Sequence, residues 1–283
     1  MIVRKIAVMI IAGLAVGIAA LPAAGITNGT PDGNNHPYVG LIVFDVGGSV
    51  SHRCSGSLIS PTVVLTAAHC TEGTSAARAW FNEMLQDPTD GHFLVPDYPT
   101  GGSVAIEGTT HTFPGYNVGN PHSGGLPGFA YRDIGIVVLE TPVSVARYAQ
   151  LPSEGLVDTL RNKTAIDFVG YGVTGQEQIP GSLLPQPPPF YRWTGLRNRL
   201  FAPSELVSGN FTHSAEFMRL ALNASRGSGG TCFGDSGGPD LLGGTDTVLA
   251  VNSYVTNVNC SGNGYSARVD VDDVLDWIEG FLS

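Results

Sequence analysis

The chain has 283 residues, of which 42% are hydrophobic and 13% are charged, and its formal net charge is −10. This balance excludes a largely disordered chain and indicates one large domain or two packed lobes with a substantial core. A negative chain without a basic stripe gives no support for nucleic-acid binding. The 38 glycines and 19 prolines are typical of an all-β chain with many turns.

The first 25 residues predict a secretory signal peptide. Arg4 and Lys5 precede an apolar run over residues 6–20, and small residues follow at Ala23 and Gly25. This pattern favours cleavage and export over the alternative, an uncleaved signal anchor. We therefore expect a secreted, extracellular protein made of residues 26–283, with no membrane association after cleavage.

Four cysteines form an even set in a chain that we expect to be exported: Cys54, Cys70, Cys232 and Cys260. Export makes two disulfides the first interpretation, and four cysteines permit three pairings. Zinc ligation is the alternative, but the spacings match no common ligand pattern. We expect two disulfides, no metal and no other cofactor.

Short β-rich runs separated by Gly, Pro, Asn and Asp follow the signal segment. In chain order the predicted strands cover residues 39–44, 57–59, 63–65, 134–139, 165–169 and 248–251. Residues 85–130 and 179–189 are interpreted as long surface loops, either irregular or forming the wall of a binding cleft. Apolar residues at helical spacing after Asp270 predict a C-terminal helix. Frequent short strands of this kind indicate a β-sandwich or barrel.

Three segments carry residue types that nucleophilic catalysis requires. His69 ends the run Thr-Ala-Ala-His, Asp133 precedes an apolar strand, and Ser236 lies in Gly-Asp-Ser-Gly-Gly-Pro. A serine hydroxyl is a poor nucleophile until a base removes its proton, and the pKa of histidine suits that task. The histidine in turn needs an acceptor at its other ring nitrogen. Each segment alone is commonly structural, but their coincidence predicts a catalytic triad.

The motifs Thr-Ala-Ala-His-Cys at residues 66–70 and Gly-Asp-Ser-Gly-Gly-Pro at residues 234–239 resemble the two signature motifs of the chymotrypsin/trypsin family of serine proteases. The order His, Asp, Ser along the chain is also that family's order. The resemblance extends from about residue 26 to the C-terminus. It implies an all-β fold of two packed six-stranded antiparallel β-barrels with a C-terminal α-helix, and we place the boundary between the two lobes near residues 145–160.

The resemblance implies a role for each matching residue. His69 would be general base and then general acid, Asp133 its orienting partner, and Ser236 the nucleophile. The N–H groups of Gly234 and Ser236 would form the oxyanion hole, and Ser253 would support the buried aspartate. The implied disulfides are Cys54–Cys70, beside the histidine, and Cys232–Cys260, beside the primary specificity pocket.

The resemblance also implies an activation step. In the family, a freed N-terminal Ile or Val forms an ion pair with the aspartate before the nucleophile, which is Asp235 here. Ile26-Thr-Asn-Gly resembles the family's Ile-Val-Gly-Gly with two departures. Signal-peptide cleavage after Gly25 would expose Ile26 directly. The alternative is earlier cleavage, which leaves a short activation peptide for another protease to trim.

Specificity follows from four positions that match the family's primary pocket. Gly230 stands where trypsin-like members have aspartate, so a substrate Arg or Lys would find no buried counter-charge. Val255 stands where open pockets have glycine, Tyr254 lies beside the substrate backbone, and Asn263 lies near the opposite wall. We expect a monomer that cleaves peptide or protein substrates after small or medium apolar residues. The alternatives are a catalytically silent homologue that binds another protein, and an esterase.

Overall fold

The computed structural model describes residues 26–102, 104–118, 130–178, 191–207, 212–223, 228–257 and 259–282. The predicted signal peptide and the loop predicted at 179–189 lie outside these residues. Across the described ranges, no helix combines the length and the apolar character that crossing a bilayer requires.

Strands make up most of the described chain, as the turn-rich composition predicts. In chain order they are β1 Thr30–Pro31, β2 Val39–Val46, β3 Ser49–Leu58, β4 Val63–Thr66, β5 Ala76–Trp80, β6 Ile106–Thr112, β7 Asn117–Val118, β8 Ala130–Tyr131, β9 Gly135–Leu139, β10 Ala165–Gly170, β11 Gly175–Gln178, β12 Tyr191–Thr194, β13 Leu200–Glu205, β14 Phe217–Leu222, β15 Pro239–Leu242, β16 Val248–Val255 and β17 Gly262–Arg268. The helices are α1 Ala68–Thr71, the 3₁₀ helix Leu156–Thr159 and α2 Asp272–Glu279.

The first lobe is a closed antiparallel barrel in the order β2-β3-β4-β9-β6-β5. Its interior is filled by large apolar side chains that are fully buried, among them Phe44, Leu65, Trp80 and Ile136. Closure pairs every strand on both sides and leaves no exposed edge, which is how small barrels avoid edge-to-edge association.

One segment of this barrel corrects the sequence analysis. Residues 85–130 were interpreted as a long loop, but the barrel strand β6 lies within them. Its sequence, Ile-Glu-Gly-Thr-Thr-His-Thr, lacks the apolar alternation that marks a half-buried strand. Gly108 gives the physical reason for part of this pattern, because a Cβ there would approach Val137 Cγ1 to 2.7 Å. The close approach of β9 therefore requires a residue without a side chain.

The second lobe is a curled sheet in the order β1-β13-β10-β15-β16-β17-β14. An isolated bridge between Leu206 and Leu220 brings the end of β13 to β14, so that six of the strands curl around one core. The closed barrel, this curled sheet and the C-terminal helix confirm the predicted all-β architecture.

The interior of the second lobe contains an acidic side chain. Asp240 is fully buried, opposite Phe168 of β10 and Ala250 of β16. Neither carboxylate oxygen of Asp240 has a hydrogen-bond partner among the described residues. A buried polar group without a partner is uncommon in folded proteins, because it loses its hydration without compensation.

Each end of the described chain packs against the lobe it does not belong to by sequence. Near the N-terminus, β1 pairs with β13 of the second sheet. At the other end, α2 and the residues after it reach the first barrel, where Trp277 packs against Phe113 with ring centroids 5.3 Å apart and Phe281 packs against His111 at 4.9 Å. The connection between the lobes runs over residues 140–164 and includes the predicted boundary, which stays a prediction.

Candidate active site

Strand pairing in the first barrel brings His69 and Asp133 together. His69 lies on the one-turn helix α1 directly after β4, and Asp133 lies two residues before β9. Because β4 pairs with β9 so that Thr66 is opposite Gly135, the residues beyond these two ends meet at one edge of the barrel. Two residues 64 positions apart in the chain are thus neighbours.

Three donors surround the carboxylate of Asp133, which is 1% exposed. The Nδ1 atom of His69 lies 2.8 Å from Oδ2, and the backbone N–H of His69 donates to Oδ1 at 2.8 Å. The hydroxyl of Ser253 donates to Oδ2. Ser253 reaches this carboxylate from a register shift of β16 between Asn252 and Tyr254, a bulge of the kind that redirects side chains beside functional sites.

The electrostatics of this pair favour the charged form of both groups. Burial would raise the pKa of Asp133, but the charge of His69 and the hydrogen bonds from His69 and Ser253 outweigh it and hold the pKa below its ordinary value. Burial would lower the pKa of His69, but the charge of Asp133 and the hydrogen bond to it raise the pKa instead. The carboxylate therefore stabilises a protonated imidazole.

Ser236 lines the same cleft as His69 and Ser253, in a space of about 760 Å³ between the two lobes. The loop before it contains Gly234 with a φ of +99°, a conformation that favours glycine. Among the described residues, the backbone N–H groups of Gly234 and Ser236 have no hydrogen-bond acceptor. Two free donors on either side of Asp235 therefore border the cleft.

Ser55, which the sequence analysis missed, holds this loop against the first barrel. Its backbone N–H donates to the carbonyl of Ser236 at 2.8 Å, and its hydroxyl donates to the carbonyl of Gly234 at 2.9 Å. Ser55 is fully buried beside Cys54. Because β3 contains several other polar residues, the sequence offered no local signal that singled Ser55 out.

Both disulfides implied by the resemblance are present. Cys54 is joined to Cys70, with Cα atoms 6.4 Å apart, and Cys232 is joined to Cys260, with Cα atoms 5.2 Å apart. The first ties β3 to the helix that carries His69. The second ties the loop before Ser236 to the start of β17.

The structure places two of the four predicted pocket residues in the cleft lining. Tyr254 and Val255 line it, whereas Gly230 and Asn263 are not among the lining residues. The backbone of Gly230 pairs with Thr27, whose N–H and hydroxyl both donate to the Gly230 carbonyl. The lining also includes residues that the sequence analysis did not single out, chiefly His52, Arg53, Thr231 and Phe233.

Ile26 and Asp235 are both fully buried. The side chain of Ile26 lies in the core of the second lobe, and the carboxylate of Asp235 accepts hydrogen bonds from the N–H groups of Gly172 and Cys232 at 2.7 and 2.9 Å. Burial raises the pKa of Asp235 to about 7, although these hydrogen bonds and the charge of Arg53 lower it. Among the described residues, no cation lies within ion-pair distance of this carboxylate.

Two groups of described residues bring three potential metal ligands together. In the first, Cys54, His69 and Cys70, both sulfurs belong to the disulfide and cannot act as thiolates. In the second, Asp87, Asp90 and His92, the side chains are largely exposed and the imidazole is hydrogen-bonded to Asp90. Neither arrangement has the geometry of a catalytic metal centre, which keeps an open position on a well-held ion.

Two packed β-barrels, with a histidine–aspartate pair from one lobe and a serine loop from the other, define the fold class of the chymotrypsin-like serine proteases. The family model described as Trypsin matches residues 26–278, so the chain belongs to the trypsin family.

Individual relatives agree with this assignment at low identity. The chain is 27% identical to Serine protease 1 of Drosophila melanogaster over 263 residues, which cover 89% of this chain and 84% of that protein. It is 26% identical to chymotrypsin-like elastase family member 1 of Canis lupus familiaris, covering 81% of this chain and 80% of that one.

Solved structures share the fold. HL collagenase superposes with a TM-score of 0.62 at 16% identity, covering 92% of this chain and 97% of its own. Human heparin binding protein superposes with a TM-score of 0.56 at 19% identity, covering 91% and 96%. One of these names describes a protease and the other describes binding, so the shared fold by itself does not establish catalysis.

Proposed function

We propose that this protein is a secreted serine endopeptidase that hydrolyses peptide bonds through an acyl-enzyme on Ser236. The observation that carries the proposal is the hydrogen-bonded chain from Ser253 through Asp133 to Nδ1 of His69, which directs the other ring nitrogen toward the cleft that Ser236 lines.

Each group has a step that its surroundings suit. His69 takes the proton of Ser236 as the hydroxyl attacks the peptide carbonyl, and the carboxylate of Asp133 stabilises the imidazolium that forms. The free N–H groups of Gly234 and Ser236 stabilise the negative oxygen of the tetrahedral intermediate, a contribution of roughly 3–4 kcal/mol per donor in such sites. His69 then returns the proton to the leaving amine, and water repeats the cycle on the acyl-enzyme.

The expected substrate preference follows from the cleft lining. Tyr254 and Val255 form one side, and the described lining residues include no aspartate or glutamate. A substrate Arg or Lys would therefore be desolvated without a counter-charge. We infer a preference for a small or medium apolar residue before the cleaved bond, and rapid cleavage after Arg or Lys would contradict it.

Activation by a freed Ile26 is part of the proposal. The buried carboxylate of Asp235, with its pKa raised to about 7, would gain a cation if a new ammonium group at Ile26 reached it. Intact mass of the exported protein tests this step, because signal cleavage after Gly25 gives a chain that begins at Ile26. A longer chain that is inactive until trimmed would support a separate activating protease.

Covalent labelling tests the catalytic proposal. A fluorophosphonate probe should add once to the parent protein and to Ser153→Ala, a matched control at an exposed serine, but not to Ser236→Ala. Comparing ester with peptide substrates then separates an esterase from a peptidase. A chain that begins at Ile26 and takes no label would favour the alternative, a catalytically silent binding protein.

A further inference from the structure

A guanidinium group lies against the loop that carries Ser236. Arg53, in β3, lines the cleft together with the neighbouring His52. A Cβ built on Gly234 would lie 2.7 Å from Nη1 and 3.2 Å from Nη2 of Arg53, so the flat guanidinium is in contact with the backbone of Gly234. A positive charge is thus fixed beside one of the two proposed oxyanion donors.

The hydrogen-bonding capacity of Arg53 is mostly unused. Its Nη1 donates to the carbonyl of Tyr171 at 2.7 Å, whereas a guanidinium carries five N–H donors. No carboxylate among the described residues forms an ion pair with it. Five other arginines of the described residues do form ion pairs: Arg78–Asp45, Arg132–Glu216, Arg147–Asp246, Arg199–Asp32 and Arg268–Asp270.

A second arginine without an acidic partner reinforces the first. Arg197 donates to the carbonyl of Gly195 at 3.2 Å, and its buried Nε has no partner in the part of the chain that the structure describes. Burial and the charge of Arg197 lower the pKa of Arg53 to about 10, so Arg53 remains a cation at neutral pH. Like charges held together without a counter-ion are unfavourable unless a ligand supplies the opposite charge.

Asp235 compensates this charge only in part, because it acts on Arg53 through space. Its two carboxylate oxygens accept hydrogen bonds from Gly172 and Cys232, and it forms no ion pair with Arg53. Arg53 therefore lines the cleft without an ion-pair partner among the described residues, in a chain whose net charge is −10.

The position of Arg53 relative to Ser236 decides which part of a bound peptide meets the guanidinium. Under the proposed function, on which this inference rests, the residue before the cleaved bond lies on the side of Tyr254 and Val255. The chain beyond the bond then leaves the second-lobe wall of Tyr254 and Val255 and meets the first-lobe wall, where Arg53 lies against Gly234. We propose that Arg53 forms a cationic subsite that selects an acidic side chain at the first two positions after the cleaved bond.

Matched peptides test the subsite through the ratio of kcat/KM for a Glu peptide to kcat/KM for the corresponding Gln peptide. Internally quenched peptides of one sequence would carry Glu, Gln or Lys at each of these two positions. The parent enzyme should cleave the Glu peptide with a kcat/KM about tenfold above that of the Gln peptide, equivalent to about 1.4 kcal/mol, with the Lys peptide lowest. The ratio should shrink in about 0.5 M salt, because screening weakens charge recognition at a partly exposed site.

Variants separate recognition from a structural role. Arg53→Gln should bring the Glu/Gln ratio to about one, whatever its effect on the rate common to all the peptides, and Arg53→Glu should favour the Lys peptide. Arg161→Gln, an exposed arginine outside the cleft lining, is the control and should leave the ratio unchanged. Equal rates for Glu and Gln peptides in the parent, or an equal loss on all peptides in Arg53→Gln, would overturn the proposal.

A binding measurement keeps the subsite testable apart from catalysis. Ser236→Ala should bind the Glu peptide about tenfold more tightly than the Gln peptide, and the double variant with Arg53→Gln should bind both alike. If the parent cleaves no peptide but this difference in Kd holds, the catalytic proposal fails and the subsite stands. If peptides are cleaved but neither ratio departs from one, the subsite fails and the catalytic proposal stands.

Discussion

Two carboxylates, those of Asp133 and Asp240, are buried to a similar degree but differ in their hydrogen bonds and in the direction of their pKa shifts. Asp133, between the lobes, is 1% exposed and accepts three hydrogen bonds, and its pKa is held below the ordinary value. Asp240, inside the second lobe, is fully buried, and neither of its oxygens has a hydrogen-bond partner of good geometry among the described residues. Burial raises its pKa well above the ordinary value, and the nearby Ser266 hydroxyl lowers it only in part. Burial sets the cost of a charge, and the surrounding donors decide whether the group stays ionised.

The largest expected effect is on kcat and comes from removing the charge of Asp133. Asp133→Asn keeps the shape of the side chain but removes the charge and the acceptor that fix the tautomer of His69. We expect kcat to fall by about 10⁴, as the loss of this carboxylate does in the family. Steady-state kinetics on a peptide substrate would measure it, with Asp276→Asn, an exposed acid on α2, as the control. A loss of less than about tenfold would contradict the proposed role.

Neutralising Asp240 should have the next largest effect, on stability. Because its pKa in the folded chain lies above the unfolded value, the stability linked to Asp240 is complete below the unfolded pKa, near 4, and is lost as the pH rises toward the folded pKa. Asp240→Asn carries no such loss. We expect it to stabilise the protein by about 1–3 kcal/mol at pH 8 and by much less at pH 4.

Urea unfolding of parent and variant at both pH values measures this difference. Asp167→Asn, an acid of the neighbouring strand whose carboxylate accepts a hydrogen bond from Gly244, is a suitable control. Parallel stability curves for parent and Asp240→Asn between pH 4 and 8 would show that the carboxylate has a partner after all.

Removing one donor from Asp133 should have a smaller effect than removing the carboxylate. Ser253→Ala deletes one of the three hydrogen bonds and leaves both from His69. One hydrogen bond to a charged group contributes about 1.5–3 kcal/mol, and partial replacement by water should limit the loss in kcat/KM to about tenfold. Ser253→Thr, which keeps the hydroxyl, should recover most of the rate, and a loss as large as that of Asp133→Asn would contradict this ranking.

The smallest expected effect is a shift in pH dependence. Activity requires neutral His69, whose pKa the charge of Asp133 raises above its ordinary value near 6.5. The profile of kcat/KM should therefore fall on the acid side with a midpoint above 6.5. In Asp133→Asn, burial acts without the opposing charge, so the midpoint should move to lower pH. An unchanged midpoint in that variant would mean that another group controls the acid limb.

The sequence predicted one side of this comparison and not the other. His69, Asp133 and Ser236 stood in motifs whose residue types serve one chemistry, so their proximity could be inferred from the pattern alone. Asp240 follows the serine motif in an apolar strand, and nothing local indicates whether its carboxylate meets a donor. That outcome depends on which side chains β10 and β16 place opposite it.

The same limit explains the other differences between sequence and structure. Strands such as β4, β9 and β10 were predicted because apolar runs mark buried strands, whereas β6 is built of threonine and glycine and was missed. Arg53 was also missed, because one arginine in a strand is ordinary until the fold sets it against Gly234 and beside a second arginine.

The exchange of ends between the lobes has a mechanical consequence. Since β1 is hydrogen-bonded into the second sheet and α2 packs against the first barrel, each half of the molecule holds a piece of the other. A single cut in the 140–164 connection would leave the halves associated as one particle. For the same reason we expect the two lobes to resist separating, so that any adjustment of the cleft falls to the loops at its rim.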